Sequence, residues 1–216
     1  MKGKTQAKQS ENPVVLVHGF GDTGAVFDRM AAHLSSRGKP VYAIDLVPSD
    51  GSVGLEELAQ QLAAFVGDRI EGDRAIDLVG FSMGGLVSRY YVQRLGGVER
   101  VDRLITISSP HQGTWTAYAL DRVGCRQMRP NSEFLVELDR DARNLLGQID
   151  FTSIWTPYDL MIVPARSSQM PVGGDRQLPV ALHPWMLENR RCIELVAEIL
   201  DRSTSPPALE RSMQLR

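Results

Sequence analysis

Apolar positions along the chain alternate between short continuous runs and longer stretches with helical spacing. The run Pro13-Val-Val-Leu-Val17 is apolar throughout, the pattern of a strand covered on both faces. Val26, Met30, Ala31 and Leu34 then recur at three- and four-residue steps, and Gly38 with Pro40 punctuates the end of the helix they predict. Pro40 to Leu46 reads as a second strand, and Leu55, Leu58, Leu62, Phe65, Val66 and Ile70 mark one face of the next helix. Ala75 to Ser82 is a third strand running into a helix from Gly84 to Leu95, closed by Gly96 and Gly97, and Val101 to Ser108 is a fourth strand. This order implies right-handed crossovers and a mostly parallel sheet with helices on both faces, the α/β class.

From Pro110 the alternation breaks. Residues 111–149 read as a small cap or lid insertion, with a helix from Ser132 to Leu146 that places Phe134, Leu135, Leu138, Ala142, Leu145 and Leu146 on one face. Phe134, Leu135 and Leu138 are either core or the lining of an acyl groove. Phe151 to Trp155 resumes strand character, Gln177 to Leu182 is a loop or short strand, and Met186 to Leu200 is a final amphipathic helix. Residues 1–12 and 203–216 are expected to be flexible ends around one domain at 13–202, because both are polar and lack a period.

Composition narrows the class further. With 216 residues, 43 % of them hydrophobic, the chain can bury a core without disulfide or metal staples. Its 24 basic and 26 acidic side chains give a net charge of -2 with no long like-charge block, which argues against nucleic acid as a partner. The first residues lack the apolar core of a signal peptide, no apolar run approaches the roughly 20 residues of a membrane span, and Cys125 and Cys192 stand far apart without ligand spacing. Free thiols and a cytoplasmic location are the expectation, with neither metal nor cofactor implied.

The chemistry centres on Gly80-Phe-Ser82-Met-Gly84, a GxSxG motif placed between a predicted strand and a predicted helix. A serine at such a turn is held in a strained conformation with its oxygen above the sheet, and small residues two before and two after it avoid clashes. The plainer alternative is a helix-capping serine. A nucleophilic serine needs a base, and the base an orienting acid. The chain order serine, acid, histidine excludes His18 and His33, and it favours His183 over His111 because Asp159 ends a strand before His183. Asp150 and Asp175 are weaker candidates, and Asp102 lies at the wrong strand end. The loop His18-Gly-Phe20-Gly-Asp22 follows the first strand, so the N–H groups of Phe20 and Met83 are the expected oxyanion donors, with His18 shaping the loop. Phe27, His111 and Trp115 are candidate substrate contacts.

Several segments together resemble the α/β-hydrolase lipases, in particular small bacterial and cyanobacterial triacylglycerol lipases and related lipid acyl hydrolases. NPVVLVHGFGDTG is similar to their oxyanion segment, DLVGFSMGGLVSRYY to their nucleophile elbow, SSPHQGT to the turn before their lid, and TPYDLMIVP with LHPWML to their acid and histidine segments. The resemblance implies an α/β-hydrolase fold, Ser82, Asp159 and His183 as triad, and an acyl lipid as substrate, either triacylglycerol or a membrane glycerolipid. A short-chain esterase, a thioesterase or an acyltransferase on the same triad stays open, as does a non-catalytic binding protein. Peripheral, transient contact with a lipid surface is expected from the insertion, whose charges include Arg122, Arg126, Arg129, Glu133 and Glu137.

Overall fold

The computed structural model describes residues 12–202. The predicted flexible ends, residues 1–11 and 203–216, lie outside the described residues; Asn12 is tied down, its amide donating to Asp102 at 2.7 Å and Asp77 at 3.3 Å. The sheet has six strands: β1 (Val14–Val17), β2 (Val41–Ile44), β3 (Ile76–Phe81), β4 (Val101–Ile107), β5 (Asp150–Trp155) and β6 (Gly174–Gln177). They lie in the order β2-β1-β3-β4-β5-β6, and every pairing is parallel. The α/β class follows directly.

The two sheet faces explain why the strands read as continuous apolar runs. Alternate side chains point opposite ways. Val15, Val17, Leu78 and Leu104 face α2 (Leu55–Arg69) and α3 (Met83–Arg94), whereas Val14, Leu16, Val79 and Ile105 face α1 (Asp28–Ser36) and a C-terminal helical layer. Burying a Val or Leu side chain contributes about 1.5–3 kcal/mol, so a one-residue slip of a central strand would be costly on both faces at once. At the N-terminal edge of the sheet, Asp77 on β3 pairs with Arg103 on β4 at 3.1 Å; burial pushes the Asp77 carboxyl up to about 6 against the pull of Arg103.

The insertion holds α4 (Val123–Gln127), α5 (Glu133–Asp139) and α6 (Ala142–Leu145). The single helix expected over Ser132 to Leu146 is broken after Asp139. Arg89 on α3 bonds Asp139 at 2.9 Å, and Gln93 and Arg94 each bond Asp141 at 2.8 Å, so the intervening turn is drawn down onto α3. Phe134, Leu135, Leu138 and Leu146 are buried in the same core as α2 and α3, and Phe134 stacks on Tyr90 with centroids 5.6 Å apart. These residues are core, not a groove.

Two other boundaries differ from the sequence expectation. The last helix is two pieces, α7 (Trp185–Glu188) and α8 (Arg190–Leu200), because Asn189 leaves the helical region and its side chain caps α8 by accepting from Arg191 N at 3.0 Å and Cys192 N at 3.2 Å. The sixth strand lies at Gly174–Gln177, before the segment expected, and its side chains are largely exposed. An edge strand joined by backbone pairing of Thr152 with Gly174 through Trp155 with Gln177 needs no apolar signal.

Candidate active site

Ser82 stands between β3 and α3 at φ 52, ψ -122, a left-handed conformation that L residues rarely adopt. The turn is tight enough to dictate its neighbours. A methyl on Gly80 would lie 2.6 Å from Gly85 Cα, and one on Gly84 would lie 2.1 Å from the Val17 carbonyl. The Ser82 amide donates to Ile107 O at 2.8 Å, which ties the elbow to the end of β4. Met83 opens α3, so its N–H is one the helix leaves without an acceptor, and it points with the helix dipole toward the same opening.

Asp159 follows β5 and His183 follows β6, so all three side chains lie beyond the carboxyl ends of the strands, where ligands of such sheets bind. His183 Nδ1 and Asp159 Oδ2 are 2.7 Å apart, and both residues are buried. Asp159 Oδ1 accepts from Met161 N and Ile162 N, each at 2.9 Å. Burial alone would raise the Asp159 carboxyl; the His183 hydrogen bond and charge, with the two backbone donors, outweigh it and hold the group below the usual range. The carboxylate accepts from Nδ1–H, which leaves Nε2 as the free lone pair. Among the described residues no hydrogen bond joins Ser82 Oγ to His183; the ring packs on Phe81, centroids 4.7 Å apart. Such contacts commonly tighten only with substrate bound.

The other acids are engaged elsewhere. Asp175 accepts from Trp155 Nε1 at 2.6 Å, and Asp150 lies 3.7 Å from Arg103. His18 is buried, its Nδ1 2.9 Å from Gly19 O and its Nε2 accepting from Leu46 N at 2.8 Å, and so it braces the loop that carries Phe20.

Two of the three candidate substrate contacts are corrected. Phe27 is wholly buried in the core beside Leu16, Met30 and Leu34, and His111 is wholly buried between Thr106 Oγ1 at 2.9 Å and Arg89 at 3.5 Å. Burial and the Arg89 charge keep His111 far below its usual pKa, hence neutral. With no accessible surface neither reaches a ligand, and the sequence could not separate a loop histidine facing outward from one turned under the strand end. Trp115 is 60 % exposed, and its backbone N–H donates to Val163 O at 2.9 Å, which holds its segment against the loop after Asp159. Leu160, 71 % exposed, and Met161, 53 % exposed, follow Asp159 directly in the chain, and Leu182 and Trp185, also exposed, stand on either side of His183 in sequence. Sequence reasoning missed these; the signal was the apolar neighbours of Asp159 and His183 themselves. Among the described residues no cluster of three or more His, Cys, Asp or Glu could hold a metal, no helix is long and apolar enough to cross a membrane, and Cys125 and Cys192 are free thiols.

The sheet order, the strained serine and the Asp159–His183 pair define a protein of the α/β-hydrolase fold, and solved structures agree. The chain superposes on the mature lipase BlEst2 of Bacillus licheniformis with a TM-score of 0.72 at 15 % identity, covering 92 % of this chain and 96 % of that one. Aspergillus fumigatus lipase B gives a TM-score of 0.72 at 18 % identity over 94 % of this chain and 55 % of that chain. The palmitoyl protein thioesterase family profile matches residues 13–139, more than half of the chain, and the chain belongs to that family. Curated relatives include a triacylglycerol lipase of Pseudarthrobacter phenanthrenivorans, 33 % identical over 47 % of this chain, and a pimeloyl-[acyl-carrier protein] methyl ester esterase of Vibrio cholerae, 37 % identical over 47 % of it. These matches span only 34 % and 40 % of those relatives' own lengths.

Proposed function

We propose that this protein is a serine-dependent acyl hydrolase that cleaves acyl esters of glycerolipids. The observation that carries the reading is the buried His183–Asp159 hydrogen bond, at 2.7 Å, on the same side of the sheet as the strained Ser82. In this scheme His183 Nε2 takes the Ser82 proton as Oγ attacks the ester carbonyl. The N–H groups of Phe20 and Met83 stabilise the negative oxygen that forms, a contribution of about 3 kcal/mol per donor. His183 then returns the proton to the leaving alcohol, and water, deprotonated by the same imidazole, releases the acyl group from Ser82. Asp159 stays ionised and stabilises the imidazolium.

The exposed apolar side chains of Trp115, Leu160, Met161, Leu182 and Trp185 support a long acyl chain and transient contact with a lipid surface. A second reading, hydrolysis of acyl thioesters by the same residues, is favoured by the family match. p-Nitrophenyl esters of four to sixteen carbons, assayed beside an S-acyl thioester of equal chain length, separate the two. The lipid-ester reading predicts rates that rise with chain length and again above the aggregation point. A maximum at four carbons would contradict it, and a higher kcat/KM for the thioester would favour the second reading.

A further inference from the structure

Asp22 has no part in the scheme above, yet the loop after β1 carries it to the same opening. A methyl built on Gly19 would lie 3.0 Å from Ser82 Cβ and 3.4 Å from Asp22 Oδ2, so the carboxylate and the serine flank one small residue. The Asp22 backbone is fixed: Ser49 Oγ donates to its carbonyl at 2.9 Å, its own N–H donates to Gly19 O at 3.4 Å, and Gly21 N–H donates to Ser49 O at 2.8 Å. Its side chain is partly buried and partly open, and among the described residues no hydrogen-bond donor meets it. Burial raises this carboxyl above the ordinary aspartate value.

The open side of this carboxylate is free to accept from solvent or from a ligand, and a ligand hydroxyl can take the place of water there. The position settles which part of a ligand arrives there. His183 hands its proton to the leaving alcohol beside Ser82, and only Gly19 stands between Ser82 Cβ and the Asp22 carboxylate. An anionic group on the alcohol would be repelled, whereas a hydroxyl can donate. We propose that Asp22 accepts a hydrogen bond from a free hydroxyl on the alcohol portion of the substrate, making partial glycerol esters preferred over esters whose alcohol carries no further donor. This rests on the acyl hydrolase reading.

The test compares 1-monodecanoylglycerol with methyl decanoate, taking kcat and KM for the wild type, Asp22→Ala and Asp22→Asn. The quantity read is the ratio of kcat/KM between the two esters. The wild type is expected to favour the glycerol ester, Asp22→Ala to lower the ratio about tenfold, and Asp22→Asn, which retains an acceptor oxygen, to lower it less. A ratio unchanged in both variants, with methyl ester turnover still measurable, overturns the inference alone. Turnover of neither ester by the wild type overturns the hydrolase reading and the inference with it.

Discussion

Alanine at position 82 is expected to remove acyl-ester turnover while leaving the fold intact. Deleting the nucleophile of a serine hydrolase typically costs on the order of 10⁶ in kcat, and the expected loss here is at least about 10³-fold. Stability should change little, because alanine meets the same positive-φ strain at the elbow that serine does. Glycine should behave differently. Relief of a strained backbone is worth about 1–3 kcal/mol, which for a domain of this size corresponds to a rise of a few degrees in Tm. The pair of variants therefore separates chemistry from folding: both should be inactive, and only Ser82→Gly should melt higher. Activity above a few per cent in Ser82→Ala would contradict the assignment.

Asparagine at position 159 is expected to lower kcat by about 10³ to 10⁴-fold without unfolding the loop. An amide oxygen can still accept from Met161 N and Ile162 N, so the turn after β5 keeps its anchors. The other arm then presents an NH₂ group to His183 Nδ1, which turns that nitrogen into an acceptor and puts the ring proton on Nε2. The imidazole can no longer receive a proton from Ser82, and the imidazolium loses its counter-charge. Steady-state kinetics on a soluble ester, with a thermal melt as control, checks this. A loss below tenfold with a normal melt would mean that Asp159 only shapes the loop.

Much of the fold was legible because its central strands are covered on both faces. β1 is apolar without interruption, and β3 is buried along its whole length with Asp77 as its one charged residue. The elbow was legible because the close approaches at Gly80 and Gly84 leave room for no other residue. Elements set by polar partners were not. The break after Asp139 depends on Arg89, Gln93 and Arg94, which lie more than forty positions earlier in the chain. β6 depends on backbone pairing that no side-chain period announces. Phe27 and His111 share the loops of the site in sequence but are turned into the core in space, where Thr106 and Arg89 satisfy the imidazole. Asp22 went unnoticed because its significance lies in the absence of a donor, which no sequence displays.

The central claim is that Ser82, activated through His183, attacks acyl carbonyls. Intact-protein mass spectrometry after treatment with an alkyl fluorophosphonate tests it most directly, followed by peptide mapping and repeated on His183→Ala. The account predicts one covalent adduct per chain, located on Ser82 and lost in the His183 variant. No adduct on the wild-type protein, or an adduct on another residue, would contradict it.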